Sequence, residues 1–316
     1  MFHGVPQGTI LGPLLYSIYC NRLVNANIKG ELVAYADDTV IINTDDSWDL
    51  VHKKATDDLA KISDILIKDH LILNINKTKF INFNKNNLNN SVDKPLIIHS
   101  GNCPREDGIC DCHKIIEKVT SIKYLGLHID YNMKWRAHTK ALASKLGKIK
   151  YMLKSLSGFL RQNQLKQVYF AFAQSIIGYG IIAWGGGYHN VIRPVEIQQK
   201  LIIKTLFNMR VSFPTEQLFA QTGLLNVHKL YIKSICTYIH KNKDLKKYIS
   251  HKYNTRANLN NKLQIEAMKT AIGQHNIIYN AAKFYNKMPK DIADIKCIHR
   301  FKRKLNAWLI QADTLL

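Results

Sequence analysis

Acidic residues are what this chain has least of. Its 316 residues carry 45 Lys+Arg against 23 Asp+Glu, a formal net charge of +22. The shortage is uneven: residues 1–100 sum to −1 and residues 101–316 to +23. An excess of that size points to a polyanionic partner for the C-terminal two thirds. The basic residues are dispersed and adjoin no apolar anchor, which favours nucleic acid over an anionic membrane. Cysteine is sparse too. Six cysteines, unevenly spaced, exclude a disulfide scaffold and fit a reducing intracellular setting, nucleus or cytoplasm. Residues 1–8 lack the basic and apolar regions of a secretory signal. Residues 167–190 hold no Asp, Glu, Lys or Arg, but Gln174, Ser175, Tyr179 and two glycines interrupt the centre of the tract. It falls short of the roughly 20 apolar residues a membrane span needs. A buried helix ending near Gly185-Gly186-Gly187 is expected instead. No internal repeat is visible. What remains, 46% hydrophobic and 22% charged, is globular rather than disordered, and the length suggests two domains.

Along the chain, Gly4-Val5-Pro6-Gln7-Gly8 is turn chemistry placed within a few residues of Met1, ahead of a helical apolar pattern from Leu11 to about Leu23. A tight loop with nothing before it to pack on suggests a missing N-terminal part. Residues 32–36 and 39–42 are β-prone runs flanking Asp37-Asp38, which predicts a hairpin. Asp45, Asp46 or Ser47 can cap the helix whose apolar positions run from Leu50 to Leu66. Residues 71–83 alternate as a strand broken by Asn76-Lys77-Thr78-Lys79, and 122–129 form another strand candidate. Helical periodicity dominates 135–242 and returns from Leu263. The fold class expected is α+β, with a short antiparallel sheet and helices followed by a mostly helical basic half.

Asp37-Asp38 is the sharpest chemical feature. Two adjacent carboxylates at a hairpin tip repel each other and gain no packing, and a divalent cation removes the repulsion. Mg²⁺ takes carboxylate oxygens together with waters and substrate phosphates, and a pair of such ions clamps an in-line phosphoryl displacement. A plain Asp-Asp turn is the alternative for the dipeptide alone; Tyr35-Ala36-Asp37-Asp38 between two strands is more specific. In the basic half, lysines alternate with aromatics, as in Lys145, Lys148, Lys150, Tyr151 and Lys154, then Arg300, Phe301, Lys302, Arg303, Lys304 and Trp308. That pattern suits phosphate contacts with base stacking. Cys103, Cys110, Cys112 and His113 place four soft ligands within eleven residues, enough for one Zn²⁺. The spacing is not that of a standard finger and the Cys-x-Cys bite is short, so a loop with reduced cysteines is the favoured reading and zinc is not expected.

Tyr35-Ala36-Asp37-Asp38 resembles the metal-binding box of reverse transcriptases, and residues 4–15, Gly-Val-Pro-Gln-Gly-Thr-Ile-Leu-Gly-Pro-Leu-Leu, resemble the box just before it. The order and spacing are similar to those of non-LTR (LINE-type) retrotransposons of insects and other animals. Residues 74–83, with Asn-Lys-Thr-Lys, resemble the next block, and Lys123-Tyr124-Leu125-Gly126 resembles the primer grip, with Trp135 following. The uncharged helix ending over 179–186 and Tyr285-Asn286-Lys287-Met288-Pro289 resemble the thumb and tail.

The resemblance implies a distal palm over 1–132, a helical thumb-like region over 133–245 and a basic helical tail over 246–316. It implies that Asp37 and Asp38 bind catalytic Mg²⁺, or Mn²⁺, and that Tyr35 lies under the primer terminus. Gly4, Pro6, Gln7 and Gly8 would lie against template and incoming nucleotide. Lys77 or Lys79 would serve the pyrophosphate, or be simply a solvated strand lysine. Tyr124, Leu125 and Gly126 would grip the primer, or form an ordinary core strand. The implied partners are RNA and DNA, with dNTP in the intact parent; no membrane is involved. One departure matters: the family's third metal-binding Asp lies upstream of the Gly-Val-Pro-Gln-Gly box, where only Met1, Phe2 and His3 stand. The expectation is a fragment of an RNA-directed DNA polymerase, inactive alone, from a truncated copy or partial gene. The rival expectation is a non-catalytic nucleic-acid-binding protein derived from such an element.

Overall fold

The structure, a computed structural model, describes residues 8–83, 94–98, 114–245 and 262–312. The chain divides into two compact units, 1–122 and 123–316, and the architecture is α+β: small sheets first, then mostly helices.

In the first unit, helices α1 (Leu11–Tyr19) and α2 (Asn21–Val24) precede an antiparallel hairpin, β1 (Glu31–Tyr35) and β2 (Asp38–Ile42). Of the three candidate caps for the next helix, Ser47 is the one used. Its hydroxyl accepts from the Leu50 N–H at 3.3 Å and starts α3 (Trp48–Lys68). The helix closes on His70 in the left-handed region (φ 56°). There the Leu71 and His70 N–H groups donate back to the Leu66 and Ile67 carbonyls, a Schellman closure made without glycine.

A three-stranded sheet follows, ordered β3 (Lys79–Phe80), β5 (Lys114–Lys118), β4 (Leu96–Ile98). It corrects the expected antiparallel sheet: β4 and β5 are antiparallel, but β3 runs parallel to β5. It also shortens the expected strand over 71–83 to two residues. The cause is Asn74, whose side-chain and backbone oxygens both accept from the Lys77 N–H and so turn the chain where the apolar alternation asks for extension. Leu59 of α3 packs with Leu96, Ile98 and Ile116, a small core.

The division between the units falls within β6 (Ser121–Tyr124), which forms a hairpin with β7 (Leu127–Asp130). The single strand expected over 122–129 is therefore folded on itself, because Leu125 (φ 44°) and Gly126 (φ 80°) both adopt left-handed backbone and make a two-residue turn. Helix α4 (Arg136–Leu156) packs along α8 (His189–Leu206). Between them the uncharged tract is not one buried helix. It runs as α5 (Gln162–Val168), a π-helical turn over Tyr169–Gln174, α6 (Ser175–Gly178) and α7 (Ile181–Trp184). Tyr169, Ala173, Ile177, Ile181 and Trp184 are buried on one side, while Phe170, Phe172 and Tyr179 are exposed. The break falls at Gly180 (φ 60°), where a Cβ would lie 2.8 Å from Leu127 Cδ2.

The expected stop at Gly185-Gly186-Gly187 is present for a different reason. A Cβ at Gly185 would lie 2.8 Å from Tyr231 Cδ2, and one at Gly186 2.5 Å from the Tyr231 hydroxyl. The glycines let Tyr231 approach the backbone.

Helices α9 (Thr215–Thr222) and α10 (Val227–Lys241) follow, then α11 (Ala271–Gln274), α12 (Ile277–Tyr285), α13 (Lys290–Ala293) and α14 (Ile298–Gln311). Helix thus resumes at 271, not at 263. Leu263 is instead extended, its N–H and carbonyl both bonded to the Asn286 side chain at 2.8 Å. The rest of the 285–289 block is equally structural. Tyr285 meets His240 Nδ1 at 3.0 Å, Met288 is buried, and Pro289 opens α13. One apolar cluster joins Trp135 to Leu309 and forms the core of this unit. Among the described residues no helix is long and apolar enough to cross a membrane.

Candidate active site

The hairpin β1–β2 carries the acidic pair. Its register sets Tyr35 opposite Asp38 and Val33 opposite Val40, so these four share one face of the ribbon. Only Ala36 and Asp37 form the turn. Ala36 takes φ 51°, a conformation alanine adopts at a cost, and Asp37 is left beside Asp38 at the tip. Both carboxylates are exposed. Neither makes a hydrogen bond or ion pair among the described residues.

Two side chains missed by sequence reasoning hold this hairpin. Tyr16 of α1 donates its hydroxyl to the Ala36 carbonyl at 2.9 Å, bracing the turn from behind. Its ionisation is pushed up to about 12 by its hydrogen bond to Cys20, by burial, and by the charges of Cys20 and Asp37. Asp58 of α3, fully buried, grips the other end. One of its oxygens accepts from the Lys29 N–H at 2.8 Å; the other accepts from the Gly30 N–H at 2.8 Å and Asn43 Nδ2 at 2.7 Å. Lys29 and Gly30 lead into β1 and Asn43 follows β2, so one carboxylate closes the base of the hairpin. Gly30 is required there, because a Cβ would lie 2.6 Å from Asn43 Nδ2 and 2.8 Å from the Ile42 carbonyl. The available signal was an acidic residue standing among Ala55, Leu59 and Ile62, where the apolar stripe of α3 calls for burial.

Two of the acidic residues after the hairpin are engaged elsewhere. Asp45 pairs with Lys54 at 2.6 Å and Asp49 with Lys94 at 2.5 Å, and those lysines hold both carboxyls below the usual carboxylate range. Among the described residues no group of three or more His, Cys, Asp or Glu is arranged to hold a metal. Asp37 and Asp38 therefore offer two free, acceptor-only carboxylates, a donor set that suits Mg²⁺ when other oxygens complete it.

Of the remaining candidate residues, Gly8 is described and has φ 83°, open to left-handed backbone as expected of a glycine loop. Gly4, Pro6 and Gln7 lie outside the described residues, as do Cys103, Cys110, Cys112 and His113. Lys77 is exposed on the Asn74 turn. Lys79 is on β3 and pairs with Glu117 across the parallel ladder at 2.7 Å, so it is shared with a structural partner. Tyr124, Leu125 and Gly126 form the end of β6 and its turn in the second unit. The Tyr179 hydroxyl donates to the Leu125 carbonyl at 2.6 Å, and a Cβ on Gly126 would lie 3.2 Å from the Tyr179 ring. The tip of that hairpin is thus seated on the helix break at Tyr179-Gly180. The Tyr124 hydroxyl is buried without a partner among the described residues.

These features have relatives. Residues 1–129 match the reverse transcriptase (RNA-dependent DNA polymerase) family. The chain is 24% identical over 218 residues to the RNA-directed DNA polymerase from mobile element jockey of Drosophila funebris. It is likewise 24% identical over 216 residues to the probable RNA-directed DNA polymerase from transposon BS of Drosophila melanogaster. Each match takes in 64% of this chain and 22% of the relative, so the chain spans about a fifth of either. No solved structure matches. Residues 1–129 are thus similar to reverse transcriptases, and the chain is distantly similar to the RNA-directed DNA polymerases of the jockey and BS non-LTR elements.

Proposed function

We propose that this chain is the distal part of a non-LTR reverse transcriptase, with Asp37 and Asp38 as two carboxylates of its nucleotidyl-transfer site. The observation that carries the reading is the pair itself: exposed, unpaired, and fixed at the tip of a hairpin tied at both ends. In this reading residues 1–132 are palm, 133–245 thumb and 246–316 a basic tail. Mg²⁺, with Mn²⁺ as substitute, would be held by Asp37 and Asp38. When bound it would lower the pKa of an attacking 3′-hydroxyl and balance the charge of a leaving pyrophosphate. Tyr35, beside Asp38 on the same face, would support the primer terminus. The second unit, with 32 Lys+Arg and 8 Asp+Glu, would carry the primer–template through its phosphates.

The surface around the pair supports an incomplete palm. None of the nine residues of α1 is buried, although Leu11, Leu14, Leu15 and Ile18 are apolar, and Val33, Tyr35 and Ile42 of the hairpin are also exposed. An apolar surface of this kind fits a contact with further polypeptide. Among the described residues no third ligand joins Asp37 and Asp38; in this reading two carboxylates by themselves would not hold two metal ions, and the chain alone should not polymerise. The same observation favours a second reading, in which the chain binds nucleic acid without catalysis. Primer extension on an RNA template, with Mg²⁺ and with Mn²⁺, tests the first reading. The chain and its Asp37→Ala/Asp38→Ala variant should both give no product. Product from the unmodified chain that vanishes in the variant would show that the chain completes its own site.

A further inference from the structure

We infer that the outward face of α4 and the turn after it bind single-stranded nucleic acid, with phosphates on lysines and bases stacked on Tyr151 and Phe159. The inference deepens the nucleic-acid reading of the second unit and does not depend on catalysis. From Tyr131 to Val195 the sequence holds ten Lys or Arg and no Asp or Glu. Within that tract α4 buries His138, Thr139, Leu142, Leu146 and Leu153. The opposite face, at helical spacing, is Lys140, Lys148, Tyr151 and Lys154, all exposed. Lys140 and Lys154 are about 21 Å apart along the axis, and no described acidic residue pairs with any cation on this face.

Tyr151 points directly away from the core and is 74% exposed. Phe159, 88% exposed, stands three residues beyond the helix on a turn that is not loose. Its N–H and that of Leu160 donate to the Leu156 carbonyl at 3.0 Å, and Arg161 caps α5 through Gln164 at 2.9 Å. A hydrogen-bonded turn that holds a phenylalanine out in water, eight residues beyond an exposed tyrosine on a helix face of unpaired cations, matches what a single strand needs. Cations meet the backbone and aromatic faces meet unpaired bases. A duplex hides its base faces and would leave the two rings unused. The chemistry selects an unpaired strand by stacking and is tolerant of sequence.

The test measures binding of the whole chain to a labelled oligo-U and to an RNA duplex of equal length at fixed salt. Tyr151→Ala/Phe159→Ala changes no charge. It should weaken oligo-U binding by at least tenfold and duplex binding by less than twofold, about a factor of ten being expected for each lost base–aromatic stack. Lys140→Gln/Lys148→Gln/Lys154→Gln should weaken binding more than the equally charged Lys269→Gln/Lys283→Gln/Lys290→Gln on other helices and loops. All eight residues are exposed, so melting should be unchanged, and circular dichroism checks it. Equal loss for oligo-U and duplex in the aromatic variant, no loss for either, or equal loss in the two lysine triples would each overturn the inference.

Discussion

Replacing Asp58 by Asn removes one acceptor oxygen and puts an N–H₂ where one or two donors point. The carboxylate receives the Lys29 and Gly30 N–H groups and Asn43 Nδ2 at 2.7–2.8 Å while fully buried. Hydrogen bonds to a charged group are worth about 1.5–3 kcal/mol each. At best the amide keeps one acceptor, so the loss is about 3–5 kcal/mol. Among the described residues the first unit's cluster is small, four buried side chains, Leu59, Leu96, Ile98 and Ile116, with Ala55, Leu73, Ile75 and Phe80 against them, and has little to offset that. Amide hydrogen exchange across residues 31–42 should therefore accelerate by about a hundredfold or more in Asp58→Asn. Asp57→Asn is the matched control. Among the described residues its carboxylate pairs with Lys29 Nζ, at 2.8 Å, with the two side chains 41% and 49% exposed, and such pairs contribute under about 1 kcal/mol. Exchange in that variant should change by no more than a few-fold. Equal effects of the two substitutions would refute the claim that Asp58 anchors the hairpin.

Three further outcomes are expected. His138 is packed against Trp135 and Trp184, and burial, His128 and Lys145 lower its pKa to about 4. The folded state therefore favours the neutral ring, and its stability is fully present above about pH 6.5 and lost as pH falls towards 4, by about 3 kcal/mol in all. His138→Phe should flatten that loss in a urea titration series, and an unchanged pH profile would count against it. Affinity for any polynucleotide should fall linearly on a log–log plot against salt, with a steep slope; a flat plot removes the polyanion reading. Backbone amides of the second unit should exchange more slowly than those of residues 8–83, since its core is one large cluster, and the opposite order would argue for a self-sufficient first domain.

Much of this was legible because the signals were local. The acidic pair between β-prone runs gave the hairpin, and Ser47 was among the named caps. What was missed depends on partners distant in sequence. Asp58 and Tyr16 are ordinary helix residues until Gly30, Asn43 and the Ala36 carbonyl arrive beside them. The β6–β7 turn escaped because Leu125, next to the glycine, also takes positive φ, which apolar periodicity does not report. The break at Gly180 follows from the seat of Leu127, and the Gly185-Gly186 pair from the approach of Tyr231; both are tertiary contacts. Asn74 broke an expected strand through a side-chain hydrogen bond that competes with the ladder.

The most direct measurement of the central claim supplies an upstream palm segment in trans. The upstream palm of a related non-LTR element is co-expressed as a separate polypeptide, the two are purified as a complex, and primer extension is measured on an RNA template with Mg²⁺. The account predicts DNA synthesis by the complex, none by either polypeptide alone, and none when either Asp37→Ala or Asp38→Ala is introduced. A stable complex that makes no DNA, or synthesis that survives both substitutions, would contradict the assignment of this hairpin as part of a nucleotidyl-transfer site.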